Sequence, residues 1–164
     1  MPKERIGILE SVFDPIHQRQ IKMALSAIES VRLDRVYVFP SADDPFHPCA
    51  AGKEDRWKMV VVACTQDQRL IPSRMEMDHS FPSVKLKMLL SLKEEHPEAD
   101  FFWILDDEEM LRLYRWPNLK EIMRQSAFLI LPSQWEIPPD VFMREKKRLL
   151  SLGARICSAI IFLL

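Results

Sequence analysis

The residues best suited to chemistry lie directly after the first strand-like run of the chain. Residues 10–20 follow the apolar run 5–9 and lead into an amphipathic helical pattern. A helix that begins here offers free backbone N–H groups and positive potential, and both favour a bound anion. His17 lies in the first turn, where its imidazole can donate a hydrogen bond to a phosphate oxygen. The alternative is a helix capped by Asp14 and started by Pro15, with His17 on the surface.

Two further polar segments follow apolar runs in the same way. Residues 40–49 come after the run 36–39 and contain three prolines and His47. Residues 106–116 come after the run 101–105, begin with an acidic stretch that includes Asp107, and end at Trp116. In open parallel sheets, ligands bind at the carboxyl ends of the strands. These segments and residues 10–17 are therefore the expected walls of a binding site.

The elements that must position these segments alternate between strand and helix. Apolar runs predict strands, and stripes with helical spacing predict helices. The predicted strands are 5–9, 36–39, 101–105 and 127–131, with an extended stretch over 70–77 that is interrupted by Pro72 and a last strand that begins within 154–164. The predicted helices are 16–31, 55–64, 83–96, 107–113, 119–124 and 139–152. This order predicts an α/β fold, a Rossmann-like parallel sheet with helices on both faces and right-handed crossovers.

Composition excludes several classes of function. With 23 Lys and Arg against 24 Asp and Glu, the net charge is −1, so bulk attraction to nucleic acid is not expected. The three cysteines predict neither a disulfide framework nor a zinc site. The apolar run 159–164 is too short to cross a bilayer, and the N-terminal residues do not resemble a signal peptide. We expect a single cytoplasmic domain over residues 1–164, with no membrane association and no bound nucleic acid.

The order of short motifs resembles one enzyme family, the nicotinate-nucleotide adenylyltransferases of the nucleotidyltransferase superfamily with an HxGH motif. Ile-Gly-Ile at 6–8 and Phe-Asp-Pro-Ile-His at 13–17 resemble the family's opening signature. Further similar segments follow in order: Phe-Pro-Ser at 39–41, Pro-Phe-His at 45–47, Arg56, Glu76, Phe-Trp-Ile-Leu-Asp-Asp at 102–107, Arg-Trp at 115–116 and Ser-Ala-Phe-Leu-Ile at 126–130. The resemblance covers roughly residues 5–131.

The resemblance implies an activity and a set of roles. Members transfer the adenylyl group of ATP, with magnesium, to nicotinate mononucleotide and release pyrophosphate without a covalent enzyme intermediate. It implies His17 as the catalytic residue. The positions implied for ATP and its phosphates are His17, Arg19, Gln20, His47 and Asp107, with Asp107 on the ribose. Ser11, Val12 and Trp116 are implied for the nicotinate nucleotide, and no side chain is implied as a metal ligand.

The chain departs from the family pattern at several of these positions. Glu10 stands where the family has a glycine, so a negative charge is expected beside the phosphates. The HxGH motif reads His-Gln-Arg-Gln at 17–20, the polar family segment reads Ser-Val-Lys-Leu-Lys-Met at 83–88, and Leu105 replaces another glycine. The chain also has only 3 glycines, few for a protein that cradles phosphates with its backbone. No Ile-Ser-Ser-Thr-x-x-Arg motif follows the last predicted strand, so the family's ATP-motif segment is expected to be missing.

These departures leave three hypotheses. The first is an active adenylyltransferase of unusual sequence. The second is a catalytically degenerate paralogue that acts as a nucleotide-binding or protein-interaction module, with the apolar run 159–164 as a possible interface for a homo-oligomer or another protein. The third is a truncated or altered gene product. Pyrophosphate release separates the first from the other two.

Overall fold

A computed structural model gives the structure of the chain and describes residues 2–79, 85–133 and 137–158. The strands of this part are β1 (Arg5–Ser11), β2 (Arg35–Pro40), β3 (Leu70–Pro72), β4 (Asp100–Asp106), β5 (Ala127–Leu131) and β6 (Ile156–Ser158). The helices are α1 (Gln18–Val31), α2 (Lys53–Cys64), α3 (Lys85–Glu95), α4 (Asp107–Met110), α5 (Leu119–Gln125) and α6 (Pro139–Ser151). A 3₁₀ turn, Leu113–Arg115, joins α4 to the segment before α5.

The strands form one sheet in the order β3-β2-β1-β4-β5-β6, and every described pairing is parallel. The chain builds outward from β1 to β3, then returns to the centre and builds the other half from β4 to β6. The topological switch point therefore lies between β1 and β4, where Ile8 is in register with Trp103. The predicted parallel α/β sheet is confirmed, and its ligand-binding crevice is expected beyond the carboxyl ends of these two strands.

Helices cover both faces of the sheet, as the sequence predicts. On one face, α1 and α2 bury apolar side chains against the central strands; they include Ile21, Ala24, Ile28, Val60 and Cys64. On the other face, α3, α5 and α6 contribute a second cluster that includes Leu89, Leu92, Ile122, Met123 and Leu149. Strands β4 and β5 are buried on both faces, which explains their continuous apolar sequence.

Gly7 shows how closely β1 packs in the sheet. A Cβ atom at this position would lie 2.8 Å from Leu33 Cδ1, 2.9 Å from Val36 Cγ2 and 3.0 Å from Ile104 Cδ1. These distances are below ordinary van der Waals contact, so a side chain at position 7 would push against three core residues at once. The glycine of the Ile-Gly-Ile run thus serves the packing of the core.

Several element boundaries differ from the sequence prediction, and three of the differences are described here. The stretch predicted over residues 70–77 ends at Pro72, the residue expected to interrupt it, and does not resume as a strand, since the chain turns where Ser73 Oγ accepts a hydrogen bond from Met75 N. The helix predicted over 107–113 ends at Met110 and gives way to the 3₁₀ turn. The first helix begins at Gln18 and not at residue 16, and Asp14 does not cap it.

Some predictions fall outside the described residues. The apolar run 159–164 and the start of the predicted helix 83–96 lie there, so the expected interface of the run stays a prediction. Among the helices that the structure describes, none has the length and apolar character needed to cross a membrane.

Candidate functional site

A cavity of about 240 Å³ opens at the carboxyl edge of the sheet, between the ends of β1 and β4. Its position is the switch point of the topology, where a parallel sheet binds its ligands. The lining residues come from both strands, from the start of α3 and from the segment after β4: Glu10, Ser11, Val12, Lys85, Trp103, Ile104, Leu105, Glu109, Arg112 and Trp116. Of the predicted site residues, Ser11, Val12 and Trp116 line this cavity.

Two tryptophans form the aromatic wall of the cavity. The rings of Trp103 and Trp116 meet edge to face, with centroids 4.9 Å apart. Trp103 is fully buried, and its Nε1 donates a 3.1 Å hydrogen bond to Ser126 Oγ, which fixes the ring. Trp116 is half-buried and also packs against Phe128. Trp116 is thus held by two aromatic neighbours and lines the cavity with a ring that is partly exposed.

An ion pair crosses the cavity beside this wall. Lys85, the first residue of α3, contacts the Glu10 carboxylate through its Nζ, and both side chains are largely buried. Lys85 Nζ also lies 4.9 Å from the centroid of the Trp116 ring, within the range of a cation–π interaction. Burial lowers the pKa of Lys85, but the nearby carboxylates of Glu10 and Glu76 outweigh it, so the net shift is upward and the amine stays protonated. The negative charge expected from Glu10 is therefore compensated within the site.

Two more carboxyl groups adjoin the pair and hold their protons unusually strongly. Burial and the charge of Glu10 raise the pKa of Glu76 to about 8, although Lys85 opposes the shift. Glu76 is 2% exposed, and neither of its carboxyl oxygens has a hydrogen-bond partner among the described residues. Burial and the charge of Asp106 raise the pKa of Glu109 to about 7. Near neutral pH the cluster therefore contains one firm ion pair and two carboxyls that are neutral or partly so.

The start of α1 lies beside β4. His17 is the N-cap residue and is exposed, and its backbone N–H donates a 2.8 Å hydrogen bond to Gln20 Oε1. Gln20 thereby stabilises the helix start as one half of a capping box with His17. Arg19 reaches Asp106 at the end of β4, with Nη2 to Oδ2 at 3.7 Å. This ion pair joins the helix start to the strand whose residues line the cavity.

The side chains of His47 and Asp107, the other predicted phosphate and ribose residues, are each held by a hydrogen bond within the protein. His47 is 86% exposed, and its Nδ1 lies 2.8 Å from Asp44 Oδ2 in the loop after β2. Asp107 begins α4, and its Oδ1 accepts a 3.0 Å hydrogen bond from Ser133 N after β5. Both lie in segments that follow parallel strands, and neither lines the described cavity.

A buried arginine ties the loops after β1 and β2 together. Arg56, on α2, is fully buried, and its guanidinium donates to Val12 O at 2.7 Å, to Ser41 O at 3.2 Å and to Asp43 Oδ1 at 2.7 Å. Next to Val12, Phe13 is buried with a φ of 51°, a conformation that costs energy for any residue except glycine. The Arg56 hydrogen bonds hold the loop in this shape.

Sequence reasoning missed three charged residues that line the cavity: Lys85, Glu109 and Arg112. Lys85 lies within residues 83–88, the segment that departs from the polar pattern of the family. A lysine on an amphipathic helix is normally expected to face solvent. The available signal was Glu10, a carboxylate at the end of a buried strand, which needs a buried cation. Glu109 belongs to the acidic run 106–109, which has the sequence of a solvent-exposed helix start, so nothing in the sequence indicated that it is buried.

The described residues contain no group of three or more side chains that could hold a metal ion. The three cysteines are free thiols, and burial raises the pKa of Cys64 to about 11, so it is a buried, protonated thiol.

Comparison with protein families identifies one relationship over most of the chain. The family model described as cytidylyltransferase-like matches residues 8–151. A curated probable nicotinate-nucleotide adenylyltransferase from Synechococcus sp. (strain JA-3-3Ab) is 33% identical over 132 residues, which cover 79% of this chain and 64% of the relative. One from Shewanella sediminis is 29% identical over 144 residues, which cover 87% and 68%. The chain thus spans about two thirds of the length of these relatives.

Solved structures show the same fold. The Plasmodium falciparum nicotinic acid mononucleotide adenylyltransferase complexed with NaAD matches with a TM-score of 0.74 at 16% identity, over 98% of this chain and 77% of that one. The same Plasmodium protein complexed with APC matches with a TM-score of 0.71 at 15% identity. At such low identity the likeness concerns the architecture, and the sheet order described above agrees with it.

Proposed function

The chain belongs to the cytidylyltransferase-like family, and from that premise we propose that it is an adenylyltransferase that joins ATP to nicotinate mononucleotide and releases pyrophosphate. The observation that carries the proposal is the site at the switch point. It combines a cavity with an aromatic wall at Trp116 and an adjoining helix start at His17. The names of the curated relatives support this choice of substrates.

The two halves of the site suit the two substrates. In this proposal the nicotinate ring stacks against Trp116, while Ser11 and Val12 line the path of its nucleotide. The ATP phosphates lie at the start of α1, where the free N–H groups, His17 and Arg19 offer hydrogen bonds and positive charge. Gln20 supports the helix start, and His47 and Asp107 approach the phosphates and ribose from the neighbouring loops.

The chemistry needs no covalent intermediate. The phosphate oxygen of nicotinate mononucleotide attacks the α-phosphorus of ATP, the bond to the β-phosphate breaks, and pyrophosphate leaves with the electron pair. The protein accelerates this step by holding the two substrates in line and by stabilising the charge on the phosphates. His17 is the proposed catalytic residue, because its exposed imidazole lies at the helix start where the ATP phosphates are proposed to bind.

Magnesium enters this proposal as part of the substrate, MgATP. The described residues offer no cluster of metal-ligating side chains, and Mg²⁺ in such sites is bound largely through substrate phosphates and water. The proposed location is the cytoplasm, a reducing compartment in which three free thiols are ordinary. We further predict that residues 1–164 act as one domain and that the protein associates with a second copy or with a protein partner.

Pyrophosphate release tests the proposal. Purified protein is incubated with ATP, magnesium and nicotinate mononucleotide, beside the variants His17→Ala and His79→Ala. His79 is an exposed histidine in the turn after β3, so its variant controls for the loss of an imidazole elsewhere. We expect turnover that requires nicotinate mononucleotide, persists in His79→Ala and falls at least about 100-fold in His17→Ala. Folded protein without turnover would refute the proposed activity.

A further inference from the structure

Two helices on one face of the sheet carry apolar side chains that the fold leaves uncovered. Among the residues that the structure describes, Leu90 of α3 is 40% exposed, and Met143 and Leu150 of α6 are 57% and 47% exposed. Both helices lie on the face of the sheet that also holds α5. The opposite face has one exposed large apolar side chain on its described helices, Val62. Apolar surface repeated on one layer indicates a surface that contacts another molecule.

The exposed surface of α3 presents one row of side chains with mixed character. Lys87, Leu90 and Glu94, the α3 row, are separated by three and four residues and line one groove. This spacing places them on one side of the helix. Neither Lys87 nor Glu94 has an ion-pair partner among the described residues. The row therefore runs along the chain as positive, apolar and negative, with both charges available to a partner.

The exposed surface of α6 has the same spacing and the opposite order of charges. Asp140, Met143 and Lys147, the α6 row, are again separated by three and four residues and line one groove, which Leu150 extends. The row therefore runs as negative, apolar and positive. Lys147 has no ion-pair partner among the described residues, and Asp140 pairs with Arg144 only at the exposed surface, with Oδ2 and Nη2 3.8 Å apart.

The direction of the two helices allows both rows to meet their counterparts at once. Each helix that joins two parallel strands runs opposite to those strands, so α3 and α6 run in the same general direction. A twofold axis along this direction, above the middle of the layer, brings α3 of each copy onto α6 of the other and keeps them parallel. The facing pairs are then Lys87 with Asp140, Leu90 with Met143, and Glu94 with Lys147.

We propose that α3 and α6 form the interface of a twofold symmetric dimer with a second copy of this chain. Each facing pair occurs twice in such a dimer, because a twofold interface uses the same surface of both copies. A lipid surface or a peptide of one charge sign does not match rows that each carry both signs, whereas a second copy matches both rows. The dimer needs no substrate, so it goes beyond the proposed function and is independent of it.

Analytical ultracentrifugation of the full chain tests the proposal by charge exchange. Glu94→Lys places a lysine against Lys147 of the second copy, and Lys147→Glu places a glutamate against Glu94. The double variant Glu94→Lys/Lys147→Glu restores opposite charges across the interface. The control is Lys58→Glu, since Lys58 is an exposed lysine of α2 on the opposite face of the sheet. Circular dichroism checks that every variant is folded.

The variants have distinct expected results. The wild-type protein and Lys58→Glu form dimers whose dissociation constants agree within about two-fold. Each single variant raises the dissociation constant at least about 10-fold, because two attractive ion pairs per dimer become repulsive. The double variant returns to within about three-fold of the wild-type value, which a general effect of either substitution on folding would not produce.

Three results would overturn the proposal: folded wild-type protein that stays monomeric at about 100 μM, single variants that dimerise as tightly as wild type, or a double variant no tighter than the single ones. Removal of residues 159–164 distinguishes this surface from the interface predicted for the apolar run. A dimer that is lost on this removal and is unaffected by the charge exchanges would assign the contact to that run and also overturn the proposal.

Discussion

Replacement of Arg56 by methionine is expected to loosen the loops after β1 and β2 and to destabilise the protein. Methionine keeps the apolar stem and has similar helix propensity, so the main loss is the guanidinium. The guanidinium donates to two carbonyl oxygens, Val12 O and Ser41 O, and to the Asp43 carboxylate. Because Arg56 is fully buried, water would reach those bonds only after the protein rearranges.

The size of the effect follows from these three contacts. A carbonyl that loses its donor costs about 1–3 kcal/mol when it is buried, and the two carbonyls bound by Arg56 are partly buried. The 3.2 Å contact to Ser41 O lies at the weak end of this range, and the 2.7 Å contact to Val12 O at the strong end. The pair with Asp43 adds little, because that carboxylate is 60% exposed. We therefore expect the free energy of unfolding to fall by about 3 kcal/mol.

Urea denaturation followed by tryptophan fluorescence measures this loss. A 3 kcal/mol change lowers the midpoint by roughly 1–2 M urea for a domain of this size. The control is Arg148→Met, which removes an exposed arginine that pairs with the Glu145 carboxylate, and it should change stability by less than about 1 kcal/mol. A loss below about 1 kcal/mol in Arg56→Met would refute the argument that this guanidinium holds the loops.

Three further outcomes are expected. Burial raises the pKa of Glu76 from its ordinary value of 4.5 to about 8, so the folded state keeps a proton that the unfolded state releases. The free energy of unfolding therefore falls as the pH rises from about 5 to about 8. Glu76→Gln should flatten this decline in denaturation experiments across this pH range, and an unchanged slope would contradict the assignment. Gly7→Ala should lower the free energy of unfolding by about 1–3 kcal/mol through overpacking. In Gly52→Ala the new Cβ meets nothing within 4 Å, so the loss measured by thermal denaturation should be much smaller. Equal losses in the two variants would contradict the packing argument. Trp116→Leu should weaken the binding of nicotinate mononucleotide about 10-fold in calorimetry and leave the affinity for ATP within about two-fold of the wild-type value. Equal losses of affinity for both ligands would contradict a separate site for the ring.

Most of the fold could be predicted from the sequence because the signals are local. The runs at 101–105 and 127–131 are continuously apolar, and both form strands buried on both faces. The alternation of strands and helices restricts the sheet to parallel order. The prediction of extended structure failed at residues 73–77, where Met75 N donates a hydrogen bond to Ser73 Oγ and the chain turns. Such a turn depends on one contact and leaves little trace in hydrophobic periodicity.

The site was predicted only in part, because its electrostatics depend on residues far apart in the chain. Trp116 and Ser11 could be placed from motif order, and both line the cavity. The ion pair of Glu10 with Lys85 joins residues 75 positions apart, and no local pattern indicates it. For this reason Glu10 was expected to oppose an anionic ligand, whereas the structure shows its charge balanced by Lys85. The roles of His17, Arg19 and Asp107 stay predictions.

The most direct test of the central claim is to detect the dinucleotide product. The protein is incubated with MgATP and nicotinate mononucleotide, and the products are quantified by mass spectrometry beside a pyrophosphate assay. The account predicts that the adenylylated nicotinate dinucleotide and pyrophosphate form in equal amounts, and only when both substrates are present. Folded protein that forms neither product, or that consumes ATP without forming the dinucleotide, would contradict it.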